Sequence, residues 1–308
     1  MFSKKELDVV IIGAIGIDTN IYFLGDNIDF SVESSYTENI DYVGQAGGYT
    51  SRGFAQLGYK TGLIDYIGLD HNGNFIKEEL ERDGVESLLF FDPAGTRRSI
   101  NFMYNDGRRK NFYDGKSHLN LEPDLKKCEE FLEKTELSHF NLMNWSRNLL
   151  PIAKELNVTI SCDLQDVTNI NDSYIQDFID YADILFFSSV NYEDPKPIIK
   201  HLQKKRTEIV IIVGMGSKGC ALGYKNSITY YPPVEIIQKP IIDTNGAGDG
   251  LVVGFLSSFL FDGYSIEDSI QRGQIVARHN CTIKGSTSKL IKKQELNDFF
   301  NRLIRDKG

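Results

Sequence analysis

The chain alternates short, uninterrupted apolar runs with longer segments whose apolar residues recur every three or four positions. The first run, Asp8 to Gly13 (DVVIIG), is β-branched throughout and ends in glycine, which predicts a strand buried on both faces, as in a parallel sheet. The pattern returns from Val158 (VTISCD), Ala182 (ADILFFS) and Glu208 (EIVIIVGMG). Between the runs, His71 to Val85 and Asp194 to Thr207 carry helical patterns. Strand and helix in alternation predict an α/β fold whose helices cover a mainly parallel sheet.

One region breaks this rhythm. Thr96 to Gly115 (TRRSINFMYNDGRRKNFYDG) predicts two strands joined at Asn105-Asp106-Gly107, a strong hairpin signal. With NIYFLGDNIDFSV from Asn20 it predicts a small separate sheet, built from residues near 18–45 and 90–117. Its aromatics Phe102, Tyr104, Phe112 and Tyr113 are expected to pack across strands, and the sheet to cover a site or pair two copies of the chain. Without internal repeat or linker, the 308 residues predict a single domain.

Composition narrows the class. The hydrophobic share of 41% and charged share of 25% are those of a folded globular protein. No apolar run is long enough to span a bilayer and the start, MFSKKELDVVIIGAIG, leads directly into a strand, so no membrane association and a cytoplasmic location are expected. Cys128, Cys162, Cys220 and Cys281 are scattered without a Cys-x-x-Cys pair, which predicts reduced, buried thiols. A formal net charge of −9 argues against nucleic acid as partner, so any phosphate site must be built locally.

Ile241 to Phe261 (IIDTNGAGDGLVVGFLSSFLF) supplies such a site. Gly246 and Gly248 lack a Cβ, so the amides of NGAGD can converge on an anion at the start of a helix, where the dipole also favours negative charge. Asp249 beside them would repel that anion. Its position makes sense if the carboxylate acts on the other reactant, taking the proton of a hydroxyl that attacks phosphorus. Taken alone, a carboxylate at a helix start is a cap worth about 1 kcal/mol.

The surrounding residues decide between the two. DTNGAGD, Asp243 to Asp249, resembles the signature of the ribokinase-like (PfkB) carbohydrate kinases. The resemblance implies a ribokinase-like three-layer α/β sandwich with a small β-sheet lid. It also implies Asp249 as catalytic base, Gly246, Ala247 and Gly248 as the anion hole, and Asp243 and Asn245 beside a monovalent cation such as K+.

Further matches follow in family order. GAIGID, Gly13 to Asp18, is similar to the first strand and its exit, with Asp18 gripping sugar hydroxyls. GQAGGYTSRGFAQLG, Gly44 to Gly58, is similar to the substrate motif that leads into a helix ending Leu-Gly. It gives Gly44, Gln45, Gly48 and Tyr49 as substrate-side candidates, with Tyr49 where the family usually has asparagine. IGLDHNG, Ile67 to Gly73, resembles a structural turn before a helix. GMGSKG resembles the nucleotide loop, giving Gly214, Gly216, Ser217 and Gly219, with Gly214 in place of a threonine. In GQIVARHNCTIKGS, Asn280 falls on the nucleotide side. Ser188 and Asn191 replace the family's Asn-x-x-Glu motif, which puts a direct protein contribution to magnesium in question.

The implied reaction moves the γ-phosphoryl group of ATP, with Mg2+, to a hydroxyl of a sugar or sugar-like substrate. A nucleoside kinase of the same family is the alternative substrate class. The altered residues 188 and 191 motivate a different class, a ligand sensor that keeps the fold without turnover. A nicotinamide-dependent dehydrogenase is disfavoured, because GAIGID lacks the Gly-x-Gly-x-x-Gly spacing.

Overall fold

A computed structural model of the chain describes residues 5–25, 28, 29, 31–104 and 109–306. In chain order its strands are β1 (Val9–Ile12), β2 (Gly16–Phe23), β3 (Thr37–Gly44), β4 (Thr61–Ile67), β5 (Glu86–Phe91), β6 (Arg98–Met103), β7 (Arg109–Asp114), β8 (Leu137–Asn141), β9 (Thr159–Asp166), β10 (Ile184–Ser188), β11 (Val210–Gly214), β12 (Cys220–Tyr224) and β13 (Ser227–Tyr231). The helices are α1 (Gln45–Gln56), α2 (His71–Arg82), α3 (Leu125–Leu132), α4 (Leu150–Glu155), α5 (Ser173–Tyr181), α6 (Lys196–Lys205), α7 (Ala247–Leu256), α8 (Ile266–Asn280) and α9 (Lys293–Arg305).

The main sheet has the order β13-β12-β11-β10-β9-β8-β1-β4-β5, parallel from β11 through β5, with β12 and β13 added antiparallel at one edge. The apolar run in β1 explains its central place. Successive side chains point to opposite faces, so Val9 and Ile11 enter one core with Phe54, Leu80 and Phe255, while Val10 and Ile12 enter the other with Phe131, Phe140 and Phe178. Helices α3 to α6 supply the second core; α1, α2, α7, α8 and α9 supply the first. The molecule is therefore a three-layer α/β sandwich. Close packing of α7 on α8 explains its apolar, glycine-bearing sequence: a Cβ on Gly254 would stand 2.7 Å from the Gly273 Cα.

A separate four-stranded sheet, order β3-β2-β6-β7, forms the lid. Its first arm is two strands, β2 ending at Phe23 and β3 from Thr37, within the expected span of residues 18–45, and one detail differs from the sequence-based expectation. Residues 90 and 91 belong to β5 of the main sheet, so the second arm of the lid begins at Arg98. The hairpin turn Asn105-Asp106-Gly107 lies outside the described residues.

The lid is rooted by a buried ion pair. Arg97, just before β6, meets the Asp65 carboxylate of β4 at 2.5 Å and also donates to the Ile15 carbonyl at the entrance to β2. Asp65 in turn accepts the Ile15 and Tyr66 amides. Both chain crossings from body to lid are thus tied to one carboxylate. Cys128, Cys162, Cys220 and Cys281 are free and buried, and burial pushes each thiol up. Among the described residues no helix is long and apolar enough to cross a membrane.

Candidate active site

The entrance to α7 is shaped by Gly246, its N-cap, with φ +71°. A Cβ at Gly246 would run into the Tyr49 ring, so this left-handed position is closed to other residues on two grounds. Gly248 faces open space and is exposed, and a Cβ there would meet nothing within 4 Å. Amides in the first turn of a helix lack acceptors within it and carry the positive end of the dipole, so the turn presents an anion-binding face.

Asp249 stands in that first turn, partly exposed. Burial holds its carboxyl well above the ordinary range, the carboxylates of Asp163 and Asp18 push it further, and the Arg109 guanidinium opposes them. Four charged groups from four elements, α7, β9, the root of β2 and the far end of β7, therefore feel one another's charge. Asp18 is 5% exposed and accepts the Gln45 amide at 3.0 Å. Burial pushes it up to about 6, against the hydrogen bonds from Gln45 and Ser99. Asp163 accepts the Gln165 amide at 2.7 Å and burial pushes it to about 6 as well.

The start of α1 is built around Asp18. A side chain on Gly44 would occupy the volume of the Asp18 carboxylate, and Gln45 adopts φ +57° and lays its amide toward Ser99 at 3.3 Å. Gly44 and Gln45 thus join Asp18 at the lid root. Gly48 is buried inside α1 against Val43. Tyr49 does not face an open substrate space: it is 4% exposed, its ring lies under Gly246, and its hydroxyl is 2.9 Å from that of Tyr42.

The inner face of the lid is a ladder of polar groups. Asn111 donates to Asn101 at 2.7 Å, Asn101 to Asn20 at 2.9 Å, and Asn20 to Asp243 at 2.7 Å. Tyr22 donates to the same Asp243 oxygen at 2.7 Å, while the other oxygen accepts the Asn245 amide at 2.8 Å. Arg109 reaches across to the Asn245 side-chain oxygen. Asp243 and Asn245, expected beside a monovalent cation, here fasten the lid to the turn that enters α7, and both Asp243 oxygens are taken by protein donors.

Of the residues expected to bind nucleotide, Gly214 ends β11 and Gly216 and Ser217 form an exposed turn closed by Gly219, at the C-terminal edge of the sheet and two strands from Asp163. That edge is where ligands bind in open parallel sheets. Asn280 is turned inward instead, 2% exposed, donating to the Gly246 carbonyl at 2.9 Å. Ser188 accepts the Val190 amide and Asn191 donates to the Val167 carbonyl. Among the described residues no group of three or more His, Cys, Asp or Glu side chains is arranged to hold a metal.

The sequence reading missed Arg109, Asp163 and the ladder residues Asn20, Tyr22, Asn101 and Asn111. A signal was present for most of them. Asp18, Asn20 and Tyr22 alternate along β2, as do Ser99 and Asn101 along β6 and Arg109 and Asn111 along β7. Polar groups at every second position of a strand mark one face as polar.

This fold and turn define a class, the small-molecule phosphotransferases with an alcohol acceptor. The model of the pfkB family of carbohydrate kinases matches residues 7–293, and the chain belongs to that family. Acarbose 7(IV)-phosphotransferase of Actinoplanes sp. is 24% identical over 95% of this chain and 98% of its own length. A nucleoside kinase of Methanocaldococcus jannaschii is 24% identical over 81% of this chain and 82% of its own. Among solved structures, a microbiome-derived acarbose kinase superposes with a TM-score of 0.89 at 26% identity, covering 96% of this chain and 99% of the other. The protein is thus a sugar or nucleoside kinase of the pfkB family, for which ATP with a divalent metal is the implied cosubstrate.

Proposed function

We propose that the protein transfers the γ-phosphoryl group of ATP to a hydroxyl of a neutral sugar or sugar-like acceptor. The observation that carries this reading is the place of Asp249 in the first turn of α7, beside the open face at Gly248 and within reach of the Asp18 charge. The names of two relatives, both acting on acarbose, favour a sugar-like acceptor over a nucleoside. So does a lid whose inner face offers amides and carboxylate rather than an aromatic slot.

In this mechanism Asp18, Gln45 and the lid amides orient the acceptor. Asp249 takes the hydroxyl proton, the freed oxygen forms its bond to the γ-phosphorus, and the bond from that phosphorus to the bridging oxygen of ADP breaks. The amides of Ala247 and Gly248 receive charge from the equatorial oxygens. Arg109 adds the cation that a phosphoryl group needs while passing three carboxylates. Magnesium carried by ATP would neutralise phosphate charge, and no side chain of the site is assigned to hold it. No monovalent cation is assigned to Asp243 and Asn245, since their polar atoms serve the lid. The outer lid face, with Phe23, Phe102, Tyr104 and Phe112 in mutual contact, is proposed as a self-association surface.

The test is ADP release from Mg-ATP over a panel of acarbose, neutral mono- and oligosaccharides and nucleosides, with wild type and Asp249→Asn. Turnover with sugars, lost by about 10² or more in the variant with acceptor binding retained, is expected. Wild-type-like turnover by Asp249→Asn removes the assigned base, and binding without any turnover in the wild type favours the sensor alternative.

A further inference from the structure

We propose that Asn280 is the positioning residue of the anion hole, acting through the Gly246 carbonyl; the inference rests on the kinase reading above. The peptide joining Gly246 to Ala247 is planar and trans, so its C=O and N–H point in opposite directions. Whatever holds the carbonyl inward therefore aims the Ala247 N–H outward. Two donors hold it: the Gly250 amide of the same helix at 2.8 Å, and the Asn280 side chain at 2.9 Å. The Ala247 amide itself makes only a long contact of 3.4 Å to the Thr244 carbonyl.

The orientation of the Asn280 amide is fixed by chemistry, because a carbonyl oxygen accepts only and the group facing it must be NH₂. Its position is fixed by packing. Gly250 leaves room for it, since a Cβ there would stand 2.7 Å from the Asn280 nitrogen. Tyr49 closes Gly246 from the other side.

A second observation separates positioning from packing. The Asn280 oxygen is buried with no hydrogen-bond partner, in a seam where the side chain lines a small cavity with Tyr49, Gly53, Val253, Val276 and Leu290. A hydrocarbon side chain would fill that seam without leaving an acceptor unsatisfied. The amide is explained by its one bond, to the carbonyl that sets the catalytic turn.

The experiment compares wild type, Asn280→Leu, which keeps the volume and loses the donor, Asn280→Ala, and Val276→Ala as a packing control in the same seam. All are first checked for a cooperative thermal transition. Steady-state kinetics with Mg-ATP and the best acceptor of the panel are then paired with titration of ADP–aluminium fluoride, a mimic of the phosphoryl group in flight, and of ADP alone.

Both Asn280 variants are expected to lose 10- to 100-fold in kcat and a similar factor in ADP–aluminium fluoride affinity. Acceptor KM and ADP affinity should stay within about threefold, and Val276→Ala should keep kcat despite a lowered Tm. Unchanged kcat in folded Asn280→Leu and Asn280→Ala overturns the proposal, as does an equal kcat loss in Val276→Ala. If the wild type phosphorylates no acceptor, the kinase reading fails, and the ADP–aluminium fluoride titration alone then decides the role of Asn280.

Discussion

At the scale of single residues, the site is governed by the balance between three carboxylates and one guanidinium. The proposed base, Asp249, must be ionised to act, and it is held high by burial first, then by Asp163 and Asp18, with Arg109 as the opposing charge. Activity is therefore expected to rise with pH as Asp249 deprotonates. Arg109→Met removes the charge that favours the ionised form, so the acid limb of the kcat/KM profile should move to higher pH by about one unit, with kcat reduced at neutral pH. A pH-rate profile of the two enzymes checks this, and an unshifted limb would separate Arg109 from the base. The family was legible in the turn from Asp243 to Asp249 because that signature is dense and local. Asp163 and Arg109 were not, because each comes from a distant strand and gains meaning only when the sheet edge and the lid bring them together. Tyr49 and Asn280 were placed on the right elements but on the wrong side of them, since one-dimensional spacing does not say which flank of a turn a side chain supports.

At the scale of elements, the apolar runs announced the parallel sheet, and the glycine after Leu57 announced the end of α1, whose C-cap is Leu57. Strand β3 gave a weaker signal, because its exposed half, Thr37 to Asp41, carries no apolar run to mark it. The lid root was invisible in sequence: Arg97 and Asp65 are 32 residues apart and make sense only as a pair. Replacing Arg97 by Met leaves the Asp65 carboxyl buried without its countercharge, a loss of about 3–5 kcal/mol at neutral pH. The loss should shrink in acid, where the carboxyl protonates: burial already raises its pKa and Arg97 opposes that rise. Urea denaturation at neutral and acid pH reads both effects. Equal stability of Arg97→Met and wild type at neutral pH would show that the two chain crossings hold the lid unaided.

At the scale of the whole molecule, the lid has two faces of opposite character. The inner face is the amide ladder, and the outer face carries the aromatic cluster, with Phe112 about half exposed at 51%. If that outer cluster joins two copies, Phe112→Lys should convert a dimer to a monomer in sedimentation equilibrium while leaving the secondary structure intact. A wild type that sediments as a monomer at all accessible concentrations rules out this surface as a stable interface.

The placement of Asp18 and Arg109 at opposite ends of the lid makes it a lever with unequal arms. Strand β6 is six residues long, so a tilt of about 5° at the Arg97 fulcrum moves the Arg109 end by about 2 Å and the Asp18 end by far less. In the proposed mechanism, grip on the acceptor near the fulcrum would survive such a tilt, whereas delivery of the guanidinium at the tip would not. Holding the acceptor and arming the transfer would thereby be separated in travel, and a bound acceptor could wait without its phosphoryl donor being engaged.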